Sequence, residues 1–392
     1  MNRRHFLTTA SAASLALNLR GEEGGKLRVA VIGHTGHGNY GHGIDTMWAT
    51  LPMTEIVAVA DSDDKGLAGE LKKLKVARGY ADYREMLKEA KADIVAIGPR
   101  HIDEHRDMCL AAIAAGAKGI YMEKPFCRSL AEADEIIAAA GKTGTKIAIA
   151  HRNRWHPVLP VIQDLIKSGA MGQFLEVRCR GKEDKRGGSL DLWVLGSHVL
   201  NLGAYFAGNP AACTATVLQD GRPVTKADLK DGDEGVGPLA GNEVHARFET
   251  ASGIPIFFDS VHDAGTKEAG FGMQLIGSKG IIDLRMDTDP IAHFLKGTSL
   301  GPVKEPRTWV PLTTGGIDKP EPLEGISKRV MAHTVGGEDL IAAIKENREP
   351  LCGAKDGRTG LEMISAVFES HRLNGQRVTL PLKTRENPLS LL

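Results

Sequence analysis

The sequence predicts an α/β chain in two parts: a doubly wound parallel sheet, then an α+β region with an open, mainly antiparallel sheet. Three observations predict it. Up to about residue 150, near-continuous apolar runs of strand length alternate with helix-patterned segments, as expected of strands buried on both faces. The first of those runs ends in a glycine-rich turn. After it the rhythm changes to short alternating segments separated by hairpin signals.

Residues 27–33 read as the first strand, ending in glycine. From Gly33 to Gly43 there are five glycines, after which Ile44, Met47, Trp48 and Leu51 recur at helical spacing. Residues 55–61 form a second buried strand, 82–90 a helix and 92–98 a third main strand. An Ala-rich helix over 101–115 stops at Gly116. Gly119-Ile120-Tyr121-Met122 is the next strand and runs into Glu123-Lys124-Pro125. Ser129 and Glu132 make a capping box, and 146–150 is one more strand.

In the second part, a helix over 158–167 leads to a strand over 174–178. A charged loop, 181–188, opens a helix over about 190–206. Strands follow at 211–219, 242–250, 254–261, 271–276 and 280–285, with turns at Ser252-Gly253 and Ser278-Lys279. Residues 287–330 are Pro-rich and read as irregular, and helices at 337–347 and 360–373 close the chain. The organisation is a leader over 1–25, a nucleotide-binding domain over 26–150 and a substrate and oligomerisation domain over 151–392.

At 392 residues with 49 Lys+Arg against 49 Asp+Glu, no global charge draws the chain to nucleic acid or an anionic membrane. Past the leader no apolar stretch is long enough to span a bilayer. The five cysteines are scattered and form no CxxC, which suggests neither a disulfide framework nor a zinc site. Asn2-Arg3-Arg4-His5-Phe6-Leu7, followed by an Ala/Ser-rich run to Leu17, fits a twin-arginine export signal. The expected location is therefore periplasmic or otherwise outside the cytoplasm.

Three constellations carry chemistry. Gly36-His37-Gly38-Asn39-Tyr40-Gly41 matches GxGxxG after a strand, and amides at the following helix start would cradle a pyrophosphate. Gly33, Gly36, Gly38 and Asn39 are the candidate contacts, and the long stretch leaves open which glycines meet phosphate. Asp61, ending the second strand, suits the adenosine ribose hydroxyls and repels a 2′-phosphate, which favours NAD over NADP. His34, His37 and His42 cluster in the same loop, but no neighbouring carboxylate or Cys completes a metal set, so no metal is expected. Lys124, held extended by Pro125 at the carboxyl edge of a sheet strand, would point into the cleft. His198 suits proton transfer near neutral pH, and Asp191, two turns earlier, could share one sugar with it.

Together these residues resemble the Gfo/Idh/MocA family, named for glucose–fructose oxidoreductase, inositol dehydrogenase and rhizopine catabolism. The resemblance runs over about residues 27–382. It includes Ile97-Gly98-Pro99 with His105, Ala115-Gly116 leading to Glu123-Lys124-Pro125, Asn153-Arg154-Trp155-His156-Pro157, Ile276-Gly277-Ser278-Lys279-Gly280, and Glu338-Asp339-Leu340 with the Pro381 tail. It implies a Rossmann domain joined to a substrate domain whose sheet mediates homodimers or homotetramers. It also implies NAD(P) and hydride transfer between the nicotinamide and a sugar or polyol carbon. By residue match, Lys124 would polarise the reacting hydroxyl and His198 would be the acid/base. Pro99, His105 and Glu123 would lie along the cofactor and Arg154 beside the substrate. One departure stands out. The family's Asp four residues before this His is Val194 here, and its Asp three residues after is Asn201. Asp191 or the Glu183-Asp184 loop is left to substitute.

Three functions remain open on the sequence. The first is an NAD-dependent oxidoreductase acting on a sugar, glycoside or cyclitol. The second, raised by the export signal, is an NAD-dependent glycosidase or sugar–sugar oxidoreductase that recycles tightly bound NAD. The third is a non-catalytic NAD- or sugar-binding protein.

Overall fold

The computed structural model describes residues 25–266, 271–297 and 304–392. All of the expected leader except residue 25 lies outside them.

The first part is a six-stranded sheet of β1 (Leu27–Ile32), β2 (Thr54–Ala60), β3 (Gly79–Tyr80), β4 (Ile94–Ile97), β5 (Gly119–Met122) and β6 (Lys146–Ile149), in the order β3-β2-β1-β4-β5-β6. Every pairing is parallel. Its apolar strands are sealed on both faces, which is why they read as continuous runs. The crossovers carry α1 (Asp64–Leu74), α2 (Tyr83–Ala90), α3 (His105–Ala114) and α4 (Leu130–Thr143). The order reverses between β1 and β4, which opens a crevice at the carboxyl ends of the strands.

Two expectations are corrected here. No α-helix follows the glycine-rich turn. Residues 34–46 are turns, and only a 3-10 turn, Met47–Thr50, uses the apolar stripe. Gly41 and Gly43 sit at φ +71° and +94°, outside the helical region, and break the helix before it starts. The capping box is half-made: Ser129 accepts from the Glu132 amide at 3.2 Å, but the Glu132 carboxylate takes the Arg128 amide instead of the Ser129 amide.

The second part begins with α5 (Val158–Lys167) and β7 (Phe174–Arg180). A single turn α6 (Ser189–Asp191), a π-helical segment Leu192–Gly196 and α7 (Ser197–Ala207) make one continuous helical run. The strands are β8 (Pro210–Gln219), β9 (Arg222–Pro223), β10 (Lys230–Gly232), β11 (Gly237–Leu239), β12 (Glu243–Thr250), β13 (Ile256–Val261), β14 (Gly272–Gly277), β15 (Gly280–Arg285), β16 (Ala292–Lys296), β17 (Val310–Thr313), β18 (Gly316–Ile317) and β19 (Val378–Thr379). All but the β10–β11 hairpin join an eleven-stranded sheet, antiparallel except where β13 lies beside β7. Residues 287–330, expected to be irregular, supply β16 to β18, which extend that sheet. The turns at Ser252-Gly253 and Ser278-Lys279 fall where the sequence places them.

The last helices are α8 (Ile326–Met331), α9 (Thr334–Glu346) and α10 (Ala354–Arg372). Helix α10 packs on α7 and β8, where Phe368 stacks near Trp193. Helix α9 returns to the parallel sheet. Its Leu340 and Ile341 share a core with Val29, Val31, Trp48 and Tyr121, covering the face that the missing helix leaves open.

Candidate active site

The crevice at the β1/β4 switch point contains a cavity of about 370 Å³, lined among others by Gly33, His34, Asp61, Ser62, Tyr83 and Glu104. The glycines around it play different parts. A Cβ on Gly33 would lie 2.1 Å from the Tyr40 ring, and one on Gly38 would lie 2.5 Å from the Arg100 amide nitrogen. These two let the loop fold on itself. Gly36, at φ +90°, faces open space and presents bare backbone. Asn39 pins the loop, its Oδ1 accepting from the Gly36 amide at 3.0 Å.

Asp61 lines the cavity but is only 1% exposed. Its carboxylate accepts from Thr35 N and Oγ1 and from Asp63 N, at 2.8–3.2 Å. Burial would raise its pKa, and these donors outweigh burial and hold it below the usual value. The acid expected to meet a ribose therefore also organises the glycine-rich loop. A bare backbone position beside a carboxylate-ended pocket fits a dinucleotide.

Glu123 is spoken for by the protein. It accepts from His42 Nδ1 at 2.6 Å, from the His42 amide at 3.1 Å and from the Lys124 amide at 2.9 Å. Burial alone would raise its pKa, but His42, Lys124 and His333 hold it well below the carboxylate range. It thereby ties the glycine-rich loop to the end of β5. His105 is fully buried, with Nε2 2.8 Å from the Pro99 carbonyl and Nδ1 3.0 Å from the Pro125 carbonyl. His105 and Pro99 thus brace the strand ends on either side of the crevice.

Lys124 is buried, and its Nζ donates to the Val194 carbonyl at 2.8 Å. Val194, where the resemblance leads one to expect Asp, lies inside the π-helical segment. A carbonyl in a widened turn is open to an outside donor, here Lys124. Burial lowers the Lys124 pKa, helped by Arg100 and Arg152 and opposed by Glu123 and Glu234.

His198 sits one helical turn beyond Val194. Its ring meets His151 (centroids 5.1 Å) and Phe271 (6.0 Å) edge-on. Among the described residues neither of its nitrogens is hydrogen-bonded. Burial first, then Lys124, His151 and Arg152, push its pKa well below the usual value, so it is a neutral imidazole able to accept a proton.

Two expected substrate contacts bind protein with part of the side chain, while Asp191 Oδ1 and Arg154 Nε are buried and meet no partner among the described residues. Asp191 is fully buried, with Oδ2 accepting from Ser260 Oγ at 2.6 Å and from the Glu183 amide at 3.0 Å. The π segment also changes the spacing along the run, so the regular two-turn offset from His198 is lost. Arg154 donates to the Leu351 carbonyl at 2.7 Å and lies 4.1 Å over the Tyr205 ring, tying the end of β6 to the chain before α10. Neither loop carboxylate replaces the missing Asp. Glu183 takes Arg180, Thr266 and the Val261 amide, and Asp184 pairs with Arg186. Asn201 turns towards Cys352 and the Asp356 carbonyl.

Sequence reasoning missed several neighbours because they come from distant segments. Glu104 joins His34 and His37, placing three possible ligand atoms within 4.8 Å of one another. His34 Nδ1 and His37 Nδ1 lie 2.6 and 3.3 Å from one oxygen of that carboxylate, so a carboxylate does complete the set that the sequence reading left without one. Arg152 pairs with Asp287 at 3.1 Å, and Glu234 reaches within 3.9 Å of Arg100. His151, directly after β6, carried no motif at all.

Residues 27–151 match the model of an oxidoreductase family with an NAD-binding Rossmann fold. D-apiose dehydrogenase of Paraburkholderia graminis is 24% identical over 355 residues, 87% of each chain. The trans-1,2-dihydrobenzene-1,2-diol dehydrogenase of Bos taurus is 29% identical over 164 residues, spanning 41% of this chain and about half (48%) of the relative. A levoglucosan dehydrogenase solved with NADH and L-sorbose has the same fold, with a TM-score of 0.73 at 18% identity over 91% of this chain and all (100%) of that one.

Proposed function

We propose that this chain, whose residues 27–151 match the model of the NAD-binding Rossmann-fold family of Gfo/Idh/MocA oxidoreductases, oxidises a hydroxyl of a sugar, glycoside or cyclitol to a carbonyl, or runs the reverse. One observation carries the reading. Lys124, at the carboxyl edge of β5, donates to the Val194 carbonyl, four residues before His198 in the second part of the chain. NAD, when bound, takes up or returns the hydride. The chain's own residues handle the proton. Lys124, fixed by Val194, holds the substrate oxygen with its remaining N–H donors, and neutral His198 removes the hydroxyl proton. Glu123, by fixing His42 and the Lys124 backbone, keeps the loop and the lysine in register. The test is formation of reduced nicotinamide by the purified chain with NAD and, in turn, D-apiose, levoglucosan and myo-inositol. No reduction with these or a wider polyol set, in either direction, removes the reading.

A second reading rests on the paired Arg3-Arg4 ahead of Phe6-Leu7 and on Val194. We propose that the chain works outside the cytoplasm, where free NAD is scarce, and that it regenerates its own cofactor within each turnover. Glycoside cleavage, or exchange between two sugars, without net reduced nicotinamide supports that reading. Retention of the chain in the cytoplasm sinks it. We also propose that a second copy covers the outer face of the large sheet, where Arg178 stacks over Phe257 and His245 pairs with Asp259. A monomer in sedimentation velocity contradicts it.

A further inference from the structure

We infer that His151 is a substrate-touching residue: an imidazole held in the Nε2–H form that donates a hydrogen bond to a sugar oxygen beside the one His198 deprotonates. This deepens the function proposed above and rests on it. Three observations carry it. His151 is 3% exposed, and its ring packs edge-on against His198 at 5.1 Å. Its Nδ1 is sealed from solvent and meets no partner among the described residues, while Nε2 is not sealed and has none either. Its backbone is fixed at both ends, the amide donating to the Ile149 carbonyl at 2.6 Å and the carbonyl accepting from the Arg154 amide at 2.8 Å.

The tautomer follows from the cost of burial. A neutral imidazole has one N–H and one lone pair. An orphaned buried N–H is rarer and costlier than an orphaned acceptor, so the lone pair goes to the sealed Nδ1 and the proton to Nε2. Burial, with Lys124 and Arg154 nearby, lowers the pKa to about 3, so the ring stays neutral at working pH and donates without titrating. The two imidazoles are then complementary. His198 accepts from the reacting hydroxyl while His151 donates to its neighbour, a pairing suited to a vicinal diol. His151 thereby adds a neutral donor to the recognition of the substrate.

The experiment uses the full chain loaded with NAD and labelled with ¹⁵N-histidine, followed by long-range ¹H–¹⁵N correlation. The His151 signal is assigned by its loss in His151→Leu. An Nε2–H pattern at neutral pH is expected, and an Nδ1–H pattern overturns the inference. D-apiose, levoglucosan and myo-inositol are then titrated in. A sugar that shifts His198 and His151 together supports the inference. One that shifts His198 alone overturns it. If no sugar moves His198 or is turned over, the proposed function fails first and the inference falls with it. With any sugar turned over, His151→Leu lowers kcat/KM by about tenfold or more, the scale of one lost hydrogen bond. His151→Gln, whose amide N–H reaches the Nε2 position, restores most of that, and NAD affinity by fluorescence titration is unchanged in both. An equal loss in His151→Gln and His151→Leu would mark a packing role and overturn the inference.

Discussion

Lys124 holds the Val194 carbonyl and, in the proposed mechanism, also the substrate oxygen beside His198. Replacing it with Met keeps the volume but strands that carbonyl. Lys124→Met should therefore cost about 1–3 kcal/mol of stability and slow hydride transfer by roughly 10²–10⁴-fold. Single-turnover formation of reduced nicotinamide reads the second effect and chemical denaturation the first. A wild-type rate would remove Lys124 from the mechanism. Asp61 also has a double duty. Asp61→Ala removes the acceptor for Thr35 and Asp63 as well as the charge that repels a 2′-phosphate. NAD affinity should fall while NADP affinity is held or rises, measured by fluorescence titration of both. Unchanged selectivity would limit Asp61 to bracing the loop. Glu123-Lys124-Pro125 and His198 were legible in the sequence because each is a side chain at a strand end or on a helix whose period can be read. The Val194 carbonyl was not, since a main-chain acceptor has no residue type. The partners of Arg154 and Asp191 were hidden for a related reason. A sequence shows which polar groups exist, but not which of their atoms protein partners such as Tyr205, Leu351 and Ser260 take and which, like Asp191 Oδ1 and Arg154 Nε, are left over.

The strands of the parallel sheet were legible because burial on both faces leaves continuous apolar runs. The element after the glycine-rich turn was not. Ile44, Met47, Trp48 and Leu51 keep helical spacing because they pack under α9, while Gly41 and Gly43 deny them a helix. Helix α9 can approach that closely because it begins with small residues. A Cβ on Gly336 would lie 2.5 Å from the Tyr121 hydroxyl, and one on Gly337 would lie 3.0 Å from Leu51 Cδ1. Gly336→Val should overpack this junction and cost roughly 1–3 kcal/mol, seen as a lower melting temperature. An unchanged melting temperature would mean that α9 shifts freely. Helix α1 carries a pH-dependent clasp on the same loop, where Lys73 joins Asp45 and Glu70. Burial, then the neighbouring Asp45, raises the Glu70 pKa above the usual carboxylate range. The folded chain thus holds this proton more tightly than the unfolded chain. Its stabilising effect is full below the ordinary Glu pKa of about 4.3 and is lost as pH rises toward neutrality. The melting temperature of the wild type should decline across that window relative to Glu70→Gln. Parallel curves would show that Glu70 ionises normally.

At the scale of the molecule, the two halves clasp each other across the cofactor crevice. The short turn Asp233–Gly235, reaching over from the second domain, meets the loop that leads into α3. The Ile102 amide donates to the Glu234 carbonyl at 3.0 Å, Glu234 lies 3.9 Å from Arg100, and a Cβ on Gly235 would meet the Asp103 carboxylate at 2.1 Å. This contact was not legible in the sequence, because the turn and the loop it meets are more than a hundred residues apart. Its position bears on the resident-cofactor reading. Asp103, which Gly235 of this turn meets, also lines the 370 Å³ cavity, so a clasp on a bound dinucleotide is a testable prediction. Glu234 is itself at φ +57°, a conformation glycine adopts without strain. Glu234→Gly therefore removes the Arg100 partner without disturbing the backbone. If the chain leaves the cytoplasm folded around its cofactor, the purified wild type should carry close to one NAD per chain, found by mass spectrometry of the denatured protein. The Glu234→Gly variant should then lose nucleotide faster on dialysis while keeping its melting temperature in excess NAD. A wild type purified without nucleotide would show that the clasp does not retain NAD. That result would return the function to an enzyme that exchanges its cofactor with a soluble pool.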